Sequence, residues 1–205
     1  MPQADQKKSK DKTKEEKFYR FEPQEITLKP IQTLGRILDL GGGGEGTIEQ
    51  LEGERVVAIA PMYPERFQEG ASEGALKLVM DARDLKFLDG TFPVVTSFFT
   101  IMYIDGKDHA KVFQEAYRVL QPGGRFMVWE VLAPLCQDEK TEMYVIMLKL
   151  HLPETEIETG YGHRWPGEVR DLGYYLALAE KTGFEVVVQQ KNARVLFLEL
   201  FKPGT

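Results

Sequence analysis

Residues 36–46 hold the densest potential for chemistry in the chain. The compact apolar run RILDL ends in four consecutive glycines at 41–44, then Glu45 and Gly46, and the short helical pattern TIEQLEG follows. A glycine turn between a strand and a helix lets the backbone approach a ligand closely, and its N–H groups and the helix dipole favour an anion. Four glycines carry a conformational-entropy cost that a plain turn does not need, which favours a ligand-holding turn over an empty one. Gly41, Gly43 and Gly46 also spell GxGxxG, the dinucleotide fingerprint. That pattern expects an acid at the end of the second strand; Ala60 stands there, and Arg66 could meet a 2′-phosphate instead.

The other polar candidates are Tyr103, His109, Glu130, His151, Tyr161 and His163. Each has a structural reading beside the chemical one. Glu130 ends a buried strand and could cap a helix or hold a backbone amide. His109 falls in a first helical turn, where exposure to solvent is expected. His151 alternates with Leu150 and Leu152 and reads as the wet face of an element. Tyr161, His163 and Trp165 lie in ETGYGHRWPG, where Gly160 and Gly162 would make a loop mobile enough to close on a ligand. The three histidines have no metal-ligand spacing, so no metal is expected, and no Gly-x-Ser-x-Gly turn supports hydrolysis.

Strand-like runs alternating with helical patterns must position these residues, the signature of a parallel α/β sheet. RILDL, VVAIA, LKLVMD, VVTSFFTIMYI and RFMVWEVL (125–132) read as five strands. DHAKVFQEAYRVL reads as a helix with Val112, Phe113, Ala116, Tyr117 and Leu120 on one face, Asp108 as its cap and Pro-Gly-Gly at 122–124 as its end. Val169, Leu172, Leu176 and Ala179 space a further helix that Gly183 ends, and FEVVVQQ and RVLFLELF form an antiparallel edge hairpin. Residues 133–167 interrupt this rhythm. There TEMYVIMLKLHL fits either helix or strand, in an insertion of the kind that builds substrate sites at strand ends.

The 205 residues suit one domain, and a lone cysteine, Cys136, excludes a disulfide framework and points to a reducing cytoplasm. FPVVTSFFTIMYI is too short to span a membrane, and residues 1–17 lack the apolar core of a signal peptide. Residues 1–20 hold seven Lys/Arg against four Asp/Glu, whereas the whole chain carries −6. A disordered basic tail at 1–17 on an acidic body follows, and an acidic body argues against a nucleic-acid partner.

ILDLGGGG resembles the first motif of class I S-adenosylmethionine-dependent methyltransferases, a strand ending in acid-x-Gly-x-Gly with Asp39 as the acid. LVMDARDLKFLDGTF, VVTSFFTIMYI and EAYRVLQPGGRFMVWE are similar to the family's third strand, fourth strand and LKPGG turn with fifth strand, in order. The chain resembles the small "type 11" group over residues 33–132. The resemblance implies a Rossmann-like α/β fold with a seven-stranded, mostly parallel sheet and an antiparallel C-terminal strand. Residues 18–205 would be a single methyltransferase-like domain with a substrate-side insertion at 133–167. Gly41, Gly42 and Gly43 would pack on the aminoacyl end of S-adenosylmethionine, with Asp39 at its ammonium. Asp81 and the Ala82 amide would meet adenine, and Ser97 and Phe98 would flank the transferred methyl.

Methyl transfer to a small-molecule acceptor is therefore the expected activity, and methyl transfer needs alignment and water exclusion more than an acid or base. Tyr103, Glu130, Tyr161 and His163 are the candidates should a base be needed. The resemblance carries no particular acceptor or oligomeric state. Three positions depart from the pattern: Ala60 replaces the ribose-binding acid, Glu45 replaces the third glycine, and Phe92-Pro93 replaces the frequent Phe-Asp before the fourth strand. A lost hydrogen bond to a charged group of ~1.5–3 kcal/mol would weaken cofactor binding roughly 10- to 100-fold, unless Tyr63 or Glu65 compensates. A non-catalytic cofactor- or partner-binding protein on the same fold is the alternative, with an NADP-dependent reductase behind it.

Overall fold

The computed structural model describes residues 18–42, 45–61, 74–136 and 141–204. The expected basic tail, Gly43, Tyr63, Glu65 and Arg66 lie outside the described residues. Eleven strands and three α-helices follow one another among those described. They are β1 Phe18–Arg20, β2 Gln24–Thr27, β3 Ile37–Leu40, α1 Thr47–Glu52, β4 Val56–Ala60, β5 Leu76–Val79, β6 Phe92–Phe98, α2 Gly106–Val119 and β7 Leu120–Val131. After them come β8 Met143–His151, β9 Glu156–Arg164, α3 Leu172–Thr182, β10 Glu185–Asn192 and β11 Val195–Phe201.

Seven strands form the main sheet in the order β10-β11-β7-β6-β3-β4-β5. Neighbours from β7 to β5 pair in parallel, and β11 runs antiparallel to both β7 and β10. This is the expected seven-stranded sheet with its antiparallel C-terminal hairpin. Parallel strands buried on both faces read as unbroken apolar runs, and all five residues of β4 are buried. Residues of β3 alternate between two cores: Leu38 and Leu40 pack with Phe113 and Ala116 of α2 and Tyr175 of α3, and Ile37 packs on the other side.

The second face is covered largely by another sheet. In β8, Tyr144, Ile146, Leu148 and Leu150 are buried while Met147 is 40 % exposed, the period-2 alternation of a half-buried strand. The four buried residues join the core of Ile37, Val94, Phe98 and Trp129. Antiparallel β9 borders β8 along its length, and β1 and β2 pair in parallel with its two halves. The helix-or-strand ambiguity at 141–152 thus resolves as strand, and ETGYGHRWPG is largely strand, not a mobile loop. Gly160 and Gly162 serve close packing: a Cβ on Gly160 would sit 2.7 Å from Met147 Sδ, and one on Gly162 would sit 3.1 Å from Val145 Cγ2.

Two helix boundaries also differ from expectation. Asp105 occupies the N-cap position of α2 without a side-chain capping bond, and Asp108 in the first turn pairs instead with Arg83. Pro122 to Gly124 do not end the helix, because the chain is already extended at Leu120 and the irregular pairing of β7 with β6 absorbs the turn residues. For α3 the Gly183 stop holds, at φ 98, but Val169 lies before the helix and is 44 % exposed, and Asp171 supplies the N-cap by accepting the Tyr174 N–H at 2.9 Å.

The facing of β8 is testable. Leu148→Ala should cost about 2–5 kcal/mol and Met147→Ala about 1 kcal/mol or less, read from denaturant midpoints. Equal losses would mean that β8 does not face the main sheet this way.

Candidate functional site

A cleft of about 1150 Å³ opens at the carboxyl ends of β3, β4, β5 and β6, where open α/β sheets bind ligands. Its floor is the glycine turn. Gly41 has φ +85, and a Cβ there would lie 2.2 Å from Thr100 Oγ1, which itself donates to the Leu40 carbonyl at 2.8 Å. The Gly41 N–H already bonds the Ile59 carbonyl at 2.8 Å, so it continues the β3–β4 ladder. A Cβ on Gly42 would meet Asp39 Oδ2 and Ala58 Cβ, each at 2.7 Å. Glycine is therefore required at both positions by the walls that touch them.

Asp39 lies beneath this turn, 3 % exposed, and accepts a 2.7 Å hydrogen bond from Thr96 Oγ1. Burial pushes its carboxyl up to about 7, with Thr96 opposing and the neighbouring Glu49 adding to the rise. Glu49 went unnoticed in the sequence. It is buried on α1, Oε1 lies 3.2 Å from the position a Gly42 Cβ would take, and Lys77 Nζ reaches Oε2 at 3.1 Å. The available signal was an acid on the inner face of TIEQLE.

Asp81 and Ala82 line the cleft beyond β5. The Asp81 carboxylate is gripped by Arg83, Nη2 to Oδ2 at 2.7 Å and backbone N–H to Oδ1 at 2.8 Å, which holds it below its ordinary range. Arg83 continues to Asp108 at 2.8 Å, which ties the segment to α2. Ala60 lines the same wall with no carboxylate.

The structure divides the remaining candidates. Phe98 lines the cleft with Phe99 and Thr100. Ser97 does not, because it points to the opposite face of β6, fully buried between Leu40 and Val128 in the ladder. Tyr103 is 48 % exposed at the mouth, and Tyr161 reaches the cleft from β9, its ring stacked on Phe99 at 5.1 Å. His163 lies behind Tyr103, edge to face at 5.4 Å, with Nδ1 3.1 Å from the Arg164 carbonyl. A carbonyl only accepts, so Nδ1 carries the proton, and burial lowers the pKa of the ring.

Glu130 is off the cleft wall and fully buried. It accepts the Met102 N–H at 2.9 Å and the Val131 N–H at 2.8 Å, and so holds the short 3₁₀ turn Ile101–Tyr103 that carries Tyr103. His109 is fully buried, not solvated, because α3 packs over it: Nε2 donates to the Ile104 carbonyl at 2.9 Å and Nδ1 accepts from Tyr174 Oη at 2.8 Å. His151 bonds Glu156 and Glu25 on the partly exposed face of β8. No group of three His, Cys, Asp or Glu among the described residues could hold a metal.

Glu45, the departure at the third glycine, turns its carboxylate toward β9. Thr159 Oγ1 donates to Oε1 at 2.5 Å and the Tyr161 phenol to Oε2 at 3.1 Å. Burial, with Glu45 alongside, keeps that phenol protonated far above its ordinary range.

Residues 38–128, which span this cleft floor, match the family model described as a methyltransferase domain. Over that stretch the chain is similar to methyltransferase domains. It is similar to the demethylmenaquinone methyltransferase of Mycolicibacterium vanbaalenii, 30 % identical over 58 % of this chain and 51 % of that protein. It is likewise similar to the ubiquinone/menaquinone biosynthesis C-methyltransferase of Hydrogenovibrio crunogenus, 32 % identical over 51 % and 45 %. The chain thus spans about half the length of these curated relatives. Among solved structures, the PH0226 protein of Pyrococcus horikoshii aligns with a TM-score of 0.59, 20 % identity and 84 % coverage of both chains. A S-adenosylmethionine-dependent methyltransferase from Methanosarcina mazei aligns at 0.58, with 17 % identity over 88 % of this chain and all of that one. At such identities the two share the fold with this chain.

The role of Glu130 has a pH signature. Burial holds it protonated up to about 7 against an ordinary carboxyl near 4.5, so the native state binds that proton more tightly than the unfolded chain. Stability relative to Glu130→Gln should then fall as pH rises from about 4.5 to about 7. Thermal melts of both proteins at about pH 5 and about pH 8 should show the wild-type advantage shrinking; a constant gap would mean that Glu130 is solvated.

Proposed function

We propose that the chain transfers a methyl group from S-adenosylmethionine to a small organic acceptor. The observation that carries this reading is the juxtaposition, at the carboxyl ends of parallel strands, of a glycine turn that admits no side chain, the buried acid Asp39 beneath it and Asp81–Ala82 across the cleft. These groups suit the cofactor's chemistry. Gly42 leaves a cradle that a Cβ would fill, Asp39 offers a carboxylate to an ammonium, and Asp81 an acceptor to an exocyclic amine. Ala60 is the exception, leaving the ribose without the usual carboxylate on that strand.

When bound, S-adenosylmethionine supplies an electrophilic methyl on a sulfonium whose departure as a neutral sulfide needs no acid. The chain's own part is placement and dryness. Phe98, Phe99 and Tyr161 form an apolar wall that would exclude water and align a flat acceptor. Glu130 and His163 stand behind that wall and would act on the acceptor only through the turn and ring they support. The relatives' names, which speak of demethylmenaquinone, ubiquinone and sterol methylation, favour a small, largely apolar acceptor.

A second reading, a binding protein on the same fold without catalysis, draws on Ala60. Calorimetric titration with S-adenosylmethionine, S-adenosylhomocysteine and NADPH tests the cofactor site that the enzymatic reading requires. Micromolar binding of the two sulfur ligands and none of NADPH is expected. Gly41→Ala should abolish that binding, because the φ there is unfavourable to any Cβ. Ala60→Asp should tighten it roughly 10-fold if no other group holds the ribose. Failure of the wild-type chain to bind either sulfur ligand at millimolar concentration would overturn the enzymatic reading.

A further inference from the structure

We propose that Glu45 is a positioning residue that latches the second sheet onto the glycine turn, so that filling the cofactor end of the cleft and closing its β9 wall are one coupled event. The proposal rests on the cofactor reading above and adds to it a mechanism by which that end of the cleft organises the acceptor end.

Thr159 and Tyr161 are two apart on β9, so their side chains leave the same face of the strand. Together they engage both oxygens of the Glu45 carboxylate, at 2.5 and 3.1 Å. Glu45 directly precedes Gly46, the N-cap residue of α1, and lines the cleft beside Gly41 and Gly42. Hydroxyls donating to a carboxylate form charge-assisted bonds, stronger than neutral ones, and Thr159 is 7 % exposed.

Tyr161 is held at both ends. Its hydroxyl is on Glu45, and its ring lies flat on Phe99, parallel and 5.1 Å away. Phe99 has φ 50, the left-handed region that a side chain with a Cβ rarely occupies. That costs free energy and places the ring against the cleft. Between Thr159 and Tyr161, Gly160 lies against Met147, and Ile157, Gly160 and Tyr161 form the β9 side of the cleft. The strand that walls the acceptor end is therefore bonded to the turn that walls the cofactor end. Coupling of this kind is reciprocal: what orders the turn orders β9, and what orders β9 tightens the turn on its ligand.

Full-length wild-type protein, Glu45→Ala, Glu45→Gln, Tyr161→Phe and the double variant Glu45→Ala/Tyr161→Phe test this, by S-adenosylhomocysteine affinity and amide hydrogen exchange. Each of Glu45→Ala and Tyr161→Phe should weaken S-adenosylhomocysteine binding about 10-fold, with Glu45→Gln recovering most of the loss. The double variant should bind within about twofold of Glu45→Ala, because both changes break one latch. Exchange should speed up in β9 in the variants while β3 and β6 stay protected, which reports that the fold is intact. Losses that multiply in the double variant, or unchanged β9 exchange in Glu45→Ala, would overturn the latch. If the wild-type chain binds no S-adenosylhomocysteine, the cofactor reading fails, and β9 exchange alone then decides the latch by the same criterion.

Discussion

The close approach of β3, β4 and β6 beneath the glycine turn is the constraint on which the rest of the architecture depends. Thr100 occupies the space a Gly41 side chain would need, and Ala58 and Asp39 occupy that of Gly42. A single Cβ at either place would force apart strands whose backbones are already paired. The main sheet must also be dry on both faces for Asp39 to be buried. α2 and α3 cover one face and the β8–β9 sheet much of the other. The apolar packing and the polar cleft are thus one arrangement, because the cores that bury Leu38 and Ile37 enclose the acid between them.

The strongest sequence signals were those where local chemistry and tertiary demand agree. The glycine turn, the Gly183 stop and the C-terminal hairpin all required backbone conformations or pairings that their residues favour locally. Errors fell where the tertiary partner decides. His109 reads as an exposed first-turn residue until α3 brings Tyr174 onto it. Asp108 reads as a cap until Arg83 claims it. Gly160 and Gly162 signal looseness in isolation, and only the neighbouring β8 side chains make them a device for close packing. Ser97 and Phe98 could not be told apart without knowing which face of β6 turns to the cleft.

The second sheet shows how the segment from Met143 to Arg164 becomes a wall. Its alternation from Tyr144 to Leu150 was present in the sequence, yet a run of nine residues with a half-apolar pattern suits a strand only if something pairs with it. β9 supplies one edge, and the N-terminal strands β1 and β2 supply the other from residues more than a hundred positions away. Such pairing leaves no local signature. A sheet packed on a sheet also places side chains toward the cleft on a rigid strand, which fixes Tyr161 more closely than a loop would.

The cleft keeps a charge imbalance that packing alone would remove. Among the described residues, Asp39, Glu45, Asp81 and Asp105 line it against one arginine, and that arginine is already bound to Asp81 and Asp108. Asp39 and Glu49 are buried within reach of the same glycine, with Lys77 on the second of them. Burying a carboxylate costs free energy, which the raised pKa of Asp39 expresses directly. A fold selected for stability alone would place apolar residues there, and pairs of this kind are often replaced by them without loss. Local rules broken at one place, in a fold that otherwise obeys them, mark a functional site. The sign of the imbalance is informative as well: a cationic ligand offsets the cost of the buried acids, whereas an anionic acceptor adds to it.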